Sequence, residues 1–282
     1  MSQSFDFLNQ IEESKIRTIS VTSGKGGVGK SNIVVNLAIQ LARLGKKILV
    51  MDADFGLANI DILLNLQPTH TIEEFLSGHI SMADIIMRGP LGINIIPSAS
   101  GIPEMADMTL NQQKYLIGAL SQLQNRYDYL IIDTGAGISP NVLRFNASVD
   151  DVFIVTNSEP TSLTDAYAMM KILSTKYRLT NFILLVNNSS IETAKKIYGL
   201  LKQVAKNHDH PFDLVLGGSL PTDLTIQSSI KSRIAHSLMF PHSKLTLAFE
   251  RLAKDLNANA IGKSRPTQEI NFWSRFLQWK SI

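Results

Sequence analysis

Cysteine is absent from this chain of 282 residues. Its absence excludes disulfide bonds, thiol nucleophiles, zinc sites held by cysteine and iron–sulfur clusters. Long apolar runs are also missing, since no stretch reaches the roughly 20 residues that a membrane-spanning helix needs. The first residues, MSQSFDFLNQIEESK, show neither the basic nor the apolar region of a secretion signal. We therefore expect a cytoplasmic protein that meets a membrane only by lying on its surface.

A strong charge of either sign is lacking as well, because 27 Lys and Arg residues nearly balance 24 Asp and Glu residues. The formal net charge of +3 is too small to indicate a nucleic-acid partner by itself. Hydrophobic residues make up 44% of the chain and charged residues 18%, as in folded proteins with a real core. Among the histidines, His208 and His210 have no third ligand nearby in the sequence, so we expect no metal site there.

Short apolar runs alternate along the chain with longer amphipathic stretches. The apolar runs predict strands at 17–23, 47–53, 93–98, 127–134, 151–157, 181–188 and 212–218. Helical periodicity predicts helices at 33–44, 112–126, 162–177, 193–206 and 245–256. Nearly apolar strands separated by helices indicate an α/β fold with a doubly wound, mostly parallel sheet. Ligands of such sheets bind at the carboxyl ends of the strands.

The composition divides the chain into four parts. Residues 1–14 form a leader, residues 15–257 one α/β domain, and residues 258–268 a polar linker that contains Gly262 and Pro266. Residues 269–282 form a tail that carries both tryptophans of the chain. We expect this tail to be an appendage of the domain.

The segment VTSGKGGVGKSN, residues 21–32, follows the first predicted strand and opens a predicted helix. Gly24, Gly29, Lys30 and Ser31 match the pattern G-x-x-x-x-G-K-[ST] of a phosphate-binding loop. In such loops backbone N–H groups converge on phosphate oxygens, and the helix presents its positive end. Lys30 is expected to reach the β- and γ-phosphates, and the Ser31 hydroxyl to bind Mg²⁺.

Two later strands end in aspartate. The second predicted strand runs into MDADFGLANID, which offers Asp52, Asp54 and Asp61, and the fourth ends at Asp133 in LIIDTGAG. An aspartate that follows an apolar strand beside a phosphate-binding loop is typical of a magnesium-holding group. We therefore predict Asp54 and Asp133 as site residues.

These motifs resemble the MinD/ParA family of P-loop ATPases over about residues 17 to 250. KGGVGKS looks like the deviant Walker A motif of that family, and DADFGLANID and DTGAG look like its two switch regions. The resemblance implies one doubly wound α/β domain that dimerises when ATP is bound and separates after hydrolysis. It implies ATP, ADP and Mg²⁺ as ligands.

The resemblance also implies a role for each matching residue. Lys25 is the signature lysine that reaches the ATP of the partner subunit, Asp54 positions the attacking water, and Asp133 lies near magnesium. Lys25, Lys30, Asp54 and Asp133 are thus the catalytic residues, with Ser31, Asp54 and Asp133 at the metal. The nucleotide is bound by Gly24, Lys25, Gly26, Gly27, Val28, Gly29, Lys30, Ser31 and Asn32, with Asn187, Pro221 and Asp223 at the adenine.

On a helical wheel of about 100° per residue, the tail gathers apolar side chains on half of its circumference. They are Phe272, Trp273, Phe276, Leu277 and Trp279. Aromatic side chains with basic neighbours predict an amphipathic helix that binds anionic lipid. The alternative is a helix that packs on the protein's own core, and the two states are compatible if the tail is docked in the monomer and released in the ATP dimer.

Within the family, SGKGGVGKSN and DADFGLANIDILL look most like the FlhG branch, which is implied to regulate the number and placement of flagella with a GTPase of the FlhF type. The DQAxxLR motif of many such proteins is missing from residues 1–14, which puts a GTPase-stimulating role in doubt. A division-site regulator and a ParA-like DNA-binding protein are the alternatives. The basic residues are scattered, with modest clusters at Lys195–Lys196 and Lys231–Arg233, which argues against nucleic acid as a partner.

Replacing Lys25 by alanine is expected to preserve nucleotide binding and to abolish ATP-dependent dimers and ATP hydrolysis. The physical reason is that a second cation, supplied by the partner subunit, neutralises charge that develops on the γ-phosphate. Size-exclusion chromatography with ATP and a phosphate-release assay measure the two effects. Undiminished dimers of the Lys25→Ala variant would contradict this role.

Overall fold

The computed structural model describes residues 16–54, 59–70, 72–98, 115, 118–207, 211–262, 272 and 275–276. Its strands are β1 (Arg17–Ser23), β2 (Ile48–Ala53), β3 (Met87–Arg88), β4 (Asn94–Ile96), β5 (Tyr129–Ala136), β6 (Asp151–Thr156), β7 (Asn181–Asn187) and β8 (Asp213–Leu220). Its helices are α1 (Lys30–Arg43), α2 (Ile60–Leu63), α3 (Ile72–Leu76), α4 (Met82–Ile85), α5 (Pro140–Ser148), α6 (Pro160–Tyr177), α7 (Ile191–Lys206), α8 (Ile226–Ser232), α9 (His236–Met239) and α10 (Lys244–Asn257).

One sheet joins these eight strands in the order β3-β4-β2-β5-β1-β6-β7-β8. Every neighbouring pair is parallel except β3 and β4 at one edge, which are antiparallel. The predicted doubly wound, mostly parallel α/β fold is therefore confirmed. Because β1 lies between β5 and β6, the loop that follows it stands at the centre of the carboxyl edge, where ligands of such sheets bind.

Helices cover both faces of the sheet, and each face has its own apolar core. Along β5, Leu130 and Ile132 belong to the core under α5, α6 and α7, whereas Ile131 belongs to the core under α1 and α10. This alternation follows from the two-residue period of a strand, and it explains why the strands are apolar on both faces. The nearly continuous apolar runs of the sequence result from the burial of these strands on both faces.

The seven predicted strands are confirmed, with ends that differ by at most two residues. The helices predicted at 33–44, 162–177, 193–206 and 245–256 correspond to α1, α6, α7 and α10. Residues 115 and 118–121 are helical within the predicted helix 112–126, whose other early residues lie outside the described part. The sequence missed β3 and the short helices, because elements of a few residues show little periodicity, and it also missed α5.

The chain beyond α10 is bonded to the start of the sheet. The Arg17 guanidinium pairs with Asp151 at 2.7 Å and donates hydrogen bonds to the carbonyl oxygens of Leu256 and Ile261. A Cβ added to Gly262 would lie 2.4 Å from an Asp151 carboxylate oxygen, so the backbone passes directly against this ion pair. The first residues of the predicted linker therefore pack on the domain.

Phe272 and Phe276, predicted as membrane contacts, are buried in the core beneath α5. The rings of Phe276 and Phe145 lie 4.6 Å apart, and Arg275 pairs with Asp150 at 2.8 Å. In this structure these two tail phenylalanines thus contact the protein itself, as in the alternative prediction, rather than facing outward. Trp273, Leu277 and Trp279 lie outside the described residues. Within the described ranges, no helix has both the length and the apolar character that crossing a bilayer requires.

Candidate functional site

The glycine-rich loop between β1 and α1 depends on two of its glycines for different reasons. A Cβ on Gly24 would lie 2.4 Å from the Asp165 carbonyl oxygen, so α6 packs against the loop backbone itself. Gly29 adopts a left-handed conformation with φ of 94°, and a Cβ there would lie 2.6 Å from the Asn187 amide nitrogen. Gly27, with φ of 76°, is the other left-handed position of the loop. Left-handed glycines turn successive N–H groups toward one centre, which is the geometry of an anion nest.

The N-terminus of the helix that follows this loop is suited to binding an anion. The first turn of α1, which contains Ser31 and Asn32, has no acidic residue, so the positive end of the helix is not neutralised from within. Lys30 is buried, and its ammonium donates to the Ser23 hydroxyl at 3.1 Å. Burial lowers the pKa of Lys30, and the charges of Asp133 and Asp54 oppose this effect. The predicted phosphate lysine is thus an inward-facing cation.

Asp133 is the most confined carboxylate of the site. It lies opposite Asp52 in the register of β5 and β2 and is only 1% exposed. Neither carboxylate oxygen has a hydrogen-bond partner among the described residues. Burial, followed by the charge of Asp52, raises the pKa of Asp133 to about 7, although the nearby Ser31 hydroxyl and Lys30 act in the opposite direction.

This unpaired carboxylate fits a hydrated magnesium ion beside Ser31. Buried polar atoms normally have partners, and the waters of a bound Mg²⁺ would supply donors to both oxygens. Over the ranges that the structure describes, no three acidic or histidine side chains form a metal cluster. Magnesium, unlike ions held by full protein cages, commonly takes one or two protein ligands with water and phosphate oxygens. The residues present therefore fit the ion.

Asp52 supports the loop that carries Asp54. Its carboxylate accepts hydrogen bonds from the backbone N–H groups of Asp54, Asn59 and Ile60, at 3.1, 3.0 and 3.2 Å. Burial raises the pKa of Asp52 to about 6 in spite of these bonds. Residues 55–58 lie outside the described part. Asp52 thus connects the residues on either side of them, within the first predicted switch region. The sequence identified Asp52 as an acid but not this bracing role.

Asp54 lies beside the second predicted switch region, whereas Asp61 does not join it. A Cβ on Gly135 would lie 3.4 Å from an Asp54 carboxylate oxygen, which shows how closely the two segments approach. The Asp61 carboxylate accepts a hydrogen bond from the N–H of Ile62 at 2.8 Å and so stabilises the start of α2. Of Asp54 and Asp61, only Asp54 is thus shown to lie against the second predicted switch region.

Lys25 projects from the same edge of the sheet and contacts the start of α6. Its ammonium forms an ion pair with Glu159 and donates to the Thr161 hydroxyl at 3.1 Å. The hydrogen bond and charge of Lys25 lower the pKa of Glu159. Sequence reasoning missed Glu159, although its place just after β6 puts it at the carboxyl edge. The Lys25 side chain is 38% exposed and remains accessible to a second molecule.

The residues predicted at the adenine lie around the ends of β7 and β8. The Asn187 amide nitrogen donates to the Val28 carbonyl oxygen at 2.8 Å, which leaves its amide oxygen to accept a hydrogen bond. The two strand ends are themselves connected, since Ser189 N–H donates to the Leu220 carbonyl oxygen at 3.0 Å. Pro221 and Asp223 follow directly after this bond. His208 and His210 lie outside the described residues.

In the absence of nucleotide, the free energy of unfolding of the Asp133→Asn variant, relative to that of the natural chain, is expected to rise by about 1–3 kcal/mol from pH 5 to pH 8. A carboxyl whose folded pKa is raised from 3.8 to about 7 binds more protons folded than unfolded, so stability falls as the pH rises through this window. Asparagine carries no such charge. Urea unfolding at the two pH values measures the effect, with Asp61→Asn as the control. An equal difference at both pH values would contradict the raised pKa.

Comparison with known proteins identifies the relatives of this chain. A family model described as an AAA domain matches residues 16–186. The antiactivator FleN of Pseudomonas aeruginosa is 37% identical over 246 residues, which cover 86% of this chain and 87% of FleN. The flagellum site-determining protein YlxH of Helicobacter pylori is 33% identical over 243 residues, which cover 83% of this chain and 80% of YlxH.

Solved structures share the fold. The MinC:MinD cell division protein complex of Aquifex aeolicus matches with a TM-score of 0.69 and 25% identity, over 88% of this chain and 99% of the matched chain. MinD of Pyrococcus horikoshii, solved with Mg-ADP, matches with a TM-score of 0.68 and 24% identity, over 87% and 97% of the two chains, and supports the fold alone. With its deviant phosphate-binding loop and these relatives, the chain belongs to the MinD/ParA family of P-loop ATPases and resembles the FlhG branch of that family.

Proposed function

We propose that the protein is a magnesium-dependent switch that hydrolyses ATP to ADP and phosphate and dimerises while ATP is bound. The observation that carries this proposal is the buried Lys30 and the unpaired carboxylate of Asp133 at one end of a glycine-rich loop. The loop and the helix terminus suit a triphosphate, and the carboxylate suits the ion that accompanies it. Membership of the P-loop ATPase family agrees with this chemistry.

Each residue has a defined task in this reaction. The N–H groups of the loop and the ammonium of Lys30 bind the β- and γ-phosphates and hold them in line for attack. The Asp54 carboxylate accepts a hydrogen bond from the attacking water and orients it. Magnesium, when bound with ATP, neutralises charge on the phosphate oxygens. Phosphoryl transfer needs mainly such positioning and charge stabilisation, so no covalent intermediate with the protein is required.

Dimerisation through the carboxyl edge of the sheet is supported by exposed side chains at that edge. Leu224, after β8, is 89% exposed, and Ile138, after β5, is 50% exposed. Lys25 lies near the same edge and is held by Glu159 in the monomer. A second copy facing this edge covers the apolar side chains and draws Lys25 away from Glu159 toward the opposite γ-phosphate. Lys25 then acts in the manner of an arginine finger.

Binding to anionic lipid through the tail is a further part of the proposal. The buried Phe276 packs on Phe145 of α5, and α5 follows the segment that contains Asp133. The Thr22 hydroxyl accepts hydrogen bonds from Thr134, at 2.8 Å, and from Asn146, at 3.1 Å, and so joins that segment to α5. A shift of the segment that contains Asp133 thus reaches Phe145, on which Phe276 packs. Two released tails in one dimer bind with an avidity that one lacks.

Deleting residues 269–282 is expected to abolish ATP-dependent binding to vesicles of anionic lipid, because the aromatic side chains that enter the interface are removed. Co-sedimentation with and without ATP measures this binding. The matched control is Leu247→Ala, which removes an exposed apolar side chain from α10 and leaves the tail intact. Unchanged vesicle binding after the deletion would contradict the membrane proposal.

We infer a role in the number or placement of flagella from the relatives. YlxH is named as a flagellum site-determining protein and FleN as an antiactivator, and both match over more than four fifths of this chain. The partner that we propose for this role is a GTPase of the FlhF type or another flagellar component. A division-site role is the alternative, since a septum site-determining MinD of Synechocystis is 32% identical over 87% of this chain. ParA-like DNA binding has the least support, because the basic residues are scattered.

Removing the gene from its source organism is expected to raise the number of flagella per cell or to misplace them. The Lys30→Ala protein is expected not to restore the normal number, because it lacks the phosphate lysine. Electron microscopy counts flagella directly, and cell length recorded on the same cells tests the alternative. Normal flagella together with misplaced septa would favour the division-site role instead.

A further inference from the structure

The segment 221–225, the base segment, lies between the sheet and the next helix. It leaves β8 at the carboxyl edge and leads into α8. The sequence predicts Pro221 and Asp223 of this segment at the adenine and the loop before α1 at the phosphates. One nucleotide can reach both only if the segment is held at a set distance from α1. The buried groups behind the segment show how that distance is set.

Asp223 and Thr225 fold the base segment into a tight turn. The Asp223 carboxylate accepts hydrogen bonds from the N–H and the hydroxyl of Thr225. The hydroxyl proton of Thr225 is used in this bond, so its oxygen is left as an acceptor. The Nε2 atom of His236 lies 3.0 Å from that oxygen and 3.6 Å from the second Asp223 oxygen. The imidazole therefore donates from Nε2 to the turn.

His236 is completely buried behind this turn. Its Nδ1 atom lies 3.3 Å from the Thr246 hydroxyl of α10, which itself donates to the Phe240 carbonyl oxygen at 2.8 Å. The Phe240 ring packs at 5.3 Å from the imidazole. Burial lowers the pKa of His236, which Asp223 opposes. A neutral imidazole with its proton on Nε2 satisfies the turn without a buried charge.

The residue after His236 is bonded to the phosphate-binding helix. Ser237 N–H donates to the Asn36 amide oxygen at 2.7 Å, and Asn36 donates to the Asn32 carbonyl oxygen at 2.8 Å in the first turn of α1. Arg43, at the end of α1, donates to the Ser237 carbonyl oxygen at 2.9 Å. His236 thus stands beside a backbone position fixed to α1 by two hydrogen bonds.

We propose that His236 is a positioning residue that holds the base segment at a fixed distance from α1 and thereby sets the affinity and selectivity for the adenine ring. The proposal rests on the ATP-binding function proposed for the protein. His236 does not touch the nucleotide and acts through Thr225 and Asp223. Loss of His236 weakens binding of the base and leaves binding of the phosphates unchanged. A residue that merely stabilises the fold would affect both.

The test compares two probes on the full chain by calorimetry with Mg²⁺. On this proposal ADP contacts both the base segment and the phosphate loop, whereas inorganic tripolyphosphate contacts only the loop. His236→Ala is expected to weaken ADP binding about tenfold, the scale of one lost hydrogen bond with its support, and to leave tripolyphosphate binding unchanged. The preference for ADP over GDP is expected to fall with it. His236→Gln, whose amide can donate near the Nε2 position, is expected to restore much of the ADP affinity.

Matched variants keep the outcome interpretable. His242→Ala changes an exposed histidine of the same region and is expected to alter neither probe. Thr225→Val, which removes only the hydroxyl, is expected to reproduce the ADP loss and replaces His236→Ala if that variant does not fold. Equal losses for both probes, or no loss for either, would overturn the positioning role. Failure of the natural chain to bind ADP at all would instead overturn the nucleotide function.

Discussion

Two opposite charges in the interior, Lys30 and Asp133, govern the chemistry of this site. Burial disfavours the charged form of each, since it lowers the pKa of the lysine and raises that of the aspartate, while their mutual attraction opposes both shifts. In the proposed function, a phosphate beside Lys30 and a magnesium ion beside Asp133 supply the opposite charge that offsets the cost of burying these two groups. On that proposal, binding of the nucleotide and ionisation of the site are linked through the same two side chains.

The surrounding elements keep these charges in register. The pairing of β2 with β5 sets Asp52 opposite Asp133, and Asp52 in turn accepts hydrogen bonds from backbone N–H groups on both sides of residues 55–58, in the first predicted switch region. On the other side, Asn187 bonds the Val28 carbonyl oxygen, so the end of β7 supports the phosphate loop. Parallel strands bring all these groups to one edge, although they are far apart in the sequence.

The sequence predicted the sheet well because β2, β5, β6 and β7 are almost entirely buried and largely apolar. It also singled out Lys25, Lys30, Asp54 and Asp133, whose motifs are local. It could not predict partners that meet only in space, such as Glu159 at Lys25 or His236 behind Asp223. The tail shows the same limit, since an apolar helical stripe packs equally well on a lipid surface or on Phe145, and only the tertiary contacts distinguish the two.

Helix α5 lies between the segment that contains Asp133 and the Phe276 ring, and a rigid helix can transmit a tilt from one to the other. Its 9 residues span about 13 Å at 1.5 Å per residue. A tilt of about 10° at the end near Pro140 would displace the opposite end by about 2 Å. Phe145 lies about 7.5 Å from Pro140 along the helix, so in the proposed release of the tail the same tilt shifts its ring against Phe276 by about 1.3 Å.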